Sequence, residues 1–148
     1  MNILKSAPFL ASLVLLIPPS ASAMVDEAHS LIMEVAAPFV EEGFTIRADY
    51  WNGKLETGKQ KLIRHQLFRG NEYWFWLATS DPGCSLKIEV YDAEGQAVTI
   101  ERTDIPNCAG ARVTPTKTGS YYILVKIDWE EASKAASNVG WAVAYGYR

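Results

Sequence analysis

The chain has 148 residues, 49% apolar and 21% charged, with a formal net charge of −3. That length supplies one domain with one core. The charge is mild and mixed along the chain, with no basic stripe for nucleic acid and no polybasic cluster for anionic lipid, so neither partner is expected.

The first 23 residues read as a secretory signal peptide. Lys5 gives a positive start, Ala7 to Ile17 an apolar run, and Ala21-Ser22-Ala23 the small residues that a signal peptidase inspects. The run is far short of the roughly 20 residues that span a bilayer as a helix, so stable membrane insertion is not expected. Cleavage after Ala23 leaves 125 residues beginning at Met24, in the periplasm or outside the cell. Lys5 is the only charged residue removed, which takes the net charge to −4.

Residues 24–43 carry helical spacing. Asp26 is placed to cap the helix, Glu27 suits its first turn, and Leu31, Ile32, Val35, Phe39 and Val40 recur on one face. Pro38 and Gly43 mark its end. From Phe44 onward the period changes to two, giving a β domain over 44–148.

Its strands follow in order. Phe44 to Trp51 ends at an Asn52-Gly53 turn, and Gln60 to Phe68 places Ile63, His65 and Leu67 on one face. Gly70-Asn71 turns into Glu72 to Thr79, where Tyr73, Phe75 and Leu77 share a face opposite Trp74 and Trp76. Asp81-Pro82-Gly83 turns into an alternating strand around Leu86, Ile88 and Val90. Asp92-Ala93-Glu94-Gly95 reads as a tight hairpin turn, and Gln96 to Arg102 as the returning strand. Ala109 to Thr114, Ser120 to Asp128 and Gly140 to Tyr147 complete the set, with Glu130 to Asn138 as a loop or short helix. About eight short strands separated by Gly, Pro, Asn and Asp predict an all-β fold: a single antiparallel, jelly-roll-like sandwich with an N-terminal amphipathic helix.

Cys84 and Cys108 are the two cysteines. In an oxidising compartment an even count reads as a disulfide, stabilising by roughly 3–4 kcal/mol on the chain-entropy model. A metal or redox pair is the rival, and it lacks a nearby His or a C-x-x-C spacing.

Three stretches together resemble the bacterial pre-peptidase C-terminal domain. They are Leu67-Phe68-Arg69-Gly70-Asn71-Glu72-Tyr73, the hairpin Val90-Tyr91-Asp92-Ala93-Glu94-Gly95, and Thr118-Gly119-Ser120-Tyr121-Tyr122-Ile123-Leu124-Val125. The resemblance covers about Ile63 to Ile127 and implies a jelly-roll-like sandwich that trails secreted proteases, with collagen-binding and calcium-binding relatives. The chain departs from that pattern: no preceding protease is expected, and a helix and a disulfide are added, which leaves the protease-appendage role without support. The family's calcium ligands are not carried over: Asp81, Asp92, Glu94 and Asp104 lie near turns without the acidic spacing of a calcium loop. They read as turn formers, and no metal or cofactor is expected.

Catalysis is not expected either. Lys117-Thr118-Gly119 matches a β-lactamase box but has no S-x-x-K partner. His29 falls on the helix, and His65 shares its face with apolar residues, the position of a packed histidine. The aromatics carry the functional signal. Trp74 and Trp76, with Tyr50 and Trp51 at the end of an earlier strand, form a candidate binding surface, since aromatic rings bury large area at little entropic cost. The alternative is that the helix covers Trp74 and Trp76.

The expected role is therefore a secreted, non-enzymatic binding or accessory module for a protein partner or an extracellular or cell-surface polymer. Two alternatives remain: a structural cell-envelope protein with no small ligand, and a small outer-membrane β-barrel. The barrel is raised by Trp141, Val143, Tyr145 and Tyr147 alternating with Ala142, Ala144 and Gly146.

Overall fold

A computed structural model describes residues 22–131 and 137–148, with side chains of the N-terminal helix from Glu27 onward. The leader therefore falls almost wholly outside the described residues, as does part of the 130–138 loop.

Helix α1 spans Ser22–Glu41. Asp26 thus lies inside the helix rather than at its N-cap, because the turn before it is already helical. The other end is as the sequence predicts. Gly43 takes φ +94°, its N–H donates to the Val40 carbonyl at 3.0 Å, and the Phe44 N–H donates to the Phe39 carbonyl at 3.0 Å. This is a Schellman closure, in which a glycine adopts the left-handed conformation and frees the chain to turn. The apolar contact that accompanies it is Phe39 edge-on to Phe44, with ring centroids 6.2 Å apart.

Nine strands follow among the described residues. They are β1 (Thr45–Ile46), β2 (Trp51–Glu56), β3 (Gln60–Leu67), β4 (Tyr73–Thr79), β5 (Cys84–Tyr91), β6 (Glu101–Ile105), β7 (Cys108–Val113), β8 (Gly119–Trp129) and β9 (Asn138–Tyr147). Sheet A has the order β1-β9-β4-β7-β6, with β2 also on β9; sheet B has the order β3-β8-β5. The two antiparallel sheets pack as a sandwich, and α1 lies on the outer face of sheet A, giving three layers. The all-β sandwich with one helix expected from the sequence is the observed fold.

Alternation sorts the side chains into two cores. Between the sheets lie Ile63, Leu67, Phe75, Leu77, Ile88, Val90, Val113, Ile123, Val125, Ile127 and Val143. Between sheet A and α1 lie Trp74, Trp76, Ala78, Cys108, Ala142 and Ala144, closed by Ala28, Ile32 and Ala36 of the helix. The large and small residues of β9 therefore serve different layers. Trp141, Val143 and Tyr145 fill the sandwich, while Ala142 and Ala144 let the helix approach. Sheets A and B are separate rather than one closed sheet, so the outer-membrane barrel is set aside. Val40, expected on the buried helix face, is exposed; the buried positions are Ala28, Ile32 and Ala36, spaced by four.

Tyr121 locks one corner of the sandwich. It is buried, and its hydroxyl donates to the Lys117 carbonyl at 2.9 Å, the arrangement of a tyrosine corner. Asp92 acts as a turn former: its Oδ1 accepts from the N–H groups of Glu94 and Gln96, and Gly95 takes φ +78°.

Three local expectations are corrected. Phe44 to Trp51 is not one strand, because the chain leaves β9 after Ile46 and rejoins it at Trp51. Asn52-Gly53 is consequently inside β2, where both residues pair with β9 and Gly53 lies beside the Trp141 indole. Gln96 to Arg102 does not return as a strand along β5. After a single bridge from Ala97 to Tyr91 the chain crosses to sheet A and forms β6, leaving β8 as the neighbour of β5.

The cysteines are the third correction: Cys84 and Cys108 are not joined by a disulfide, and both are buried thiols. Alternation explains the outcome. Cys84 faces the core between the sheets, whereas Cys108 faces the helix side of sheet A. Burial pushes the Cys108 thiol up to about 12, so it behaves as a packing group rather than a nucleophile.

Candidate functional site

The structure separates the four aromatic residues proposed as a surface. Trp74 and Trp76 are stacked 6.1 Å apart and only 4% and 0% exposed. Phe39 of α1 lies against both, at 5.0 and 5.4 Å between centroids. On the sheet, Gly146 stands beside Trp74 and Gly110 beside Trp76 in the strand register. A Cβ at Gly110 would meet both indoles within 3.3 Å, and one at Gly146 would sit 3.4 Å from Trp76. Gly110 thus leaves a slot for both rings, Gly146 makes room chiefly for Ile46 of β1, and the helix closes the top. This pair is core, so the surface assigned to it is corrected. Tyr50 is half-buried and stacks on His29 of α1 at 3.8 Å, which ties the β1–β2 connection to the helix. Trp51 alone reaches another aromatic group.

That group lies between the sheets at the edge where β1 and β2 of sheet A face β3 of sheet B. Its centre is His65 on β3. The imidazole is 4.4 Å from the Tyr145 ring, 5.2 Å from Trp51 and 6.2 Å from Phe75. Tyr145 and Phe75 are cross-strand partners on β9 and β4, as are Tyr147 and Tyr73, so four rings rise from one sheet face in two adjacent rungs. His65 reaches them from the opposite sheet.

In front of this cluster opens a cleft of about 400 Å³, walled by Tyr73, Tyr145, Tyr147 and His65, with Arg47, Gln66, Phe68 and Asn71 at its sides. Its rim is built locally. Gly70, at φ +96°, makes the turn that separates Phe68 from Asn71. The Tyr73 hydroxyl then accepts from the Phe68 N–H at 3.0 Å and from Asn71 Nδ2 at 3.2 Å. These bonds pin the turn and hold the Phe68 ring at the mouth, where it is 50% exposed. Across the opening, the Arg47 N–H donates to the Tyr145 carbonyl at 2.9 Å, and Arg47 Nε pairs with Asp49 at 3.1 Å.

The electrostatics follow from burial. Partial burial lowers the His65 pKa below its usual value, opposed only weakly by Asp49, so the ring is neutral at physiological pH and offers one donor and one acceptor. Burial, then the charge of Asp49, raises the Tyr145 phenol, with Arg47 opposing. The walls are therefore neutral, and the one cation beside them is paired with a carboxylate.

Glu72 anchors the same end of the molecule. It accepts from Arg112, and from Arg148 Nε at 2.5 Å. Burial pushes its carboxyl up, but the bonds from Arg148 and Arg112 outweigh this and hold it below the usual range. Arg148 also donates to the Glu42 carbonyl at 2.8 Å and lies 4.7 Å over the Phe44 ring, which fastens the end of β9 to the end of α1.

Sequence reading placed His65 as a packed histidine and found the alternation of Tyr145 and Tyr147, but did not bring them together. The available signal was the pairing of two aromatic-rich strands, Tyr73 to Phe75 and Tyr145 to Tyr147, with one face in common. A scan against protein-family models finds no match to the chain, and a search of curated proteins finds no significant one.

Proposed function

We propose that this protein is an exported, non-catalytic binding or accessory module that engages a protein partner or an extracellular or cell-surface polymer through the His65–Tyr145 cleft. The observation that carries the reading is the cleft itself, where half-exposed Phe68 and partly buried Tyr147 and His65 stand in front of the buried rings of Tyr73 and Tyr145. Ligand sites are concave and aromatic-walled, with a few placed polar groups, and the cleft has that composition. Its walls rise from paired strands, which holds the rings in a preorganised arrangement. The leader-like first 23 residues support export.

The test compares retention of cell-envelope components, and binding on a glycan array, between the wild type, Phe68→Ala and Trp74→Phe. Phe68→Ala alters only the mouth of the cleft and is expected to abolish capture. Trp74→Phe changes a covered ring and is expected to preserve it. Equal capture by wild type and Phe68→Ala would remove the cleft from the function.

A further inference from the structure

We infer that the ligand of the His65–Tyr145 cleft is a neutral saccharide. This rests on the reading of the cleft as a binding site and goes beyond it by naming the ligand's chemistry.

Three properties of the cleft converge on that class. First, it carries no net charge. Arg47, the one charged lining side chain, is balanced by Asp49 at 3.1 Å on the exposed rim, and the remaining lining side chains are neutral, His65 included. A charged ligand therefore finds only a balanced, solvent-screened ion pair rather than a net counter-charge. Second, the walls are broad apolar rings. Phe68 is 50% exposed at the mouth, and Tyr147 and His65 keep part of their rings accessible, backed by buried Tyr73 at 6.1 Å from Tyr147 and buried Tyr145 at 4.4 Å from His65, so ring surface from both sheets reaches the cleft. Aromatic surfaces of this kind suit the flat C–H face of a sugar ring.

Third, the polar groups around the rings each combine donor and acceptor capacity. Gln66 and Asn71 have amides, Tyr145 and Tyr147 hydroxyls, and His65 a neutral imidazole. Asn71 spends an N–H on Tyr73 at 3.2 Å and keeps its carbonyl oxygen for other partners. Sugar hydroxyls are themselves both donors and acceptors and match this set. A purely apolar ligand would leave these groups without partners when it displaced water. The volume of about 400 Å³ lies near the small end of the range for ligand pockets, roughly 300–1,000 Å³, with room for about one or two sugar rings.

The sequence supplies a convenient reporter, because His29 and His65 are the only histidines. His29 lies on α1 against Tyr50 and serves as an internal control. The purified protein is titrated separately with maltohexaose, cellohexaose, xylohexaose, mannohexaose and chitohexaose while the two imidazole Cε1–H signals are followed by NMR. At least one of these sugars should move the His65 signal in a saturable way and leave that of His29 in place. Phe68→Ala, whose half-exposed ring can be removed without disturbing the core, should weaken that affinity by about tenfold or more.

Hexagalacturonate and a proline decapeptide are titrated in parallel. Movement of His65 with either of these and with none of the neutral sugars would overturn the saccharide assignment and leave the cleft as a binding site for another class. Silence of His65 toward every probe, together with unchanged envelope capture by Phe68→Ala, would overturn both the assignment and the reading it rests on.

Discussion

Docking of α1 on sheet A has a measurable energetic signature in the contact between Phe39 and Trp76. The two rings are 5.4 Å apart with planes inclined at 55°; one belongs to the helix and the other to the sheet. Trp76 is fully buried and Phe39 half-buried. Replacing either by leucine removes the ring pair and part of the buried apolar area, at an expected cost of about 1–3 kcal/mol for fully buried Trp76 and less for half-buried Phe39. If the rings interact directly, the double variant should lose less than the sum of the single losses, by about 0.5–1.5 kcal/mol, the worth of an aromatic pair beyond its buried area. Urea unfolding followed by far-ultraviolet circular dichroism measures all four corners of the cycle, and an unchanged m-value would show that the compactness of the end states is preserved. Additivity within about 0.3 kcal/mol, as for distant sites, would mean that the helix does not sit over the tryptophan pair and would refute the three-layer account.

Three further outcomes are expected. Under denaturing conditions without reductant, both cysteines should be alkylated, whereas in the native protein Cys108, 2% exposed and with its thiol pushed up to about 12, should resist; an unreacted pair in the denatured protein would contradict the observed thiols. Tyr121→Phe should cost about 0.5–1.5 kcal/mol through loss of the bond to the Lys117 carbonyl, read as a shift in the urea midpoint, and an unchanged midpoint would deny the corner its role. His65 has a folded pKa below its unfolded value, so its contribution is complete above the unfolded pKa of about 6.5 and declines as pH falls from there toward the folded pKa. His65→Phe should flatten the fall in stability between about pH 7 and pH 5, and a slope equal to that of the wild type would show that His65 is not shielded by its neighbours.

The elements most legible in sequence were those whose signals are local. The strict alternation of β8, the Gly43 helix stop and the Asp92 turn each depend on a few adjacent residues, and each lies where the chain reads. The broken first strand was hidden because Asn52-Gly53 is an ordinary turn signal, yet both residues pair with β9 inside β2. The cysteine pairing failed for a related reason. Compartment and an even count suggest a bridge, yet the two side chains enter different cores, which depends on how β5 and β7 are placed in separate sheets. The Trp74–Trp76 pair posed a choice between a platform and a covered face that alternation alone leaves open. It is decided by the slot at Gly110 and by the small residues of β9 that let the helix approach. The cleft was the least visible feature, since His65, Phe68, Tyr73 and Tyr145 come from three strands and a turn and meet only after the sheets close.

The central claim is that α1 seals the Trp74–Trp76 pair, whereas Trp51, beside His65 and the cleft, stays partly accessible. Acrylamide quenching of tryptophan fluorescence, compared between wild type, Trp76→Phe and Trp51→Phe, tests it most directly. Trp51 is half-buried beside the cleft, so its removal should lower the readily quenched fraction, while removal of fully buried Trp76 should leave that fraction unchanged. The reverse pattern, with quenching lost on changing Trp76 and kept on changing Trp51, would contradict the account and return the binding surface to the face that α1 covers.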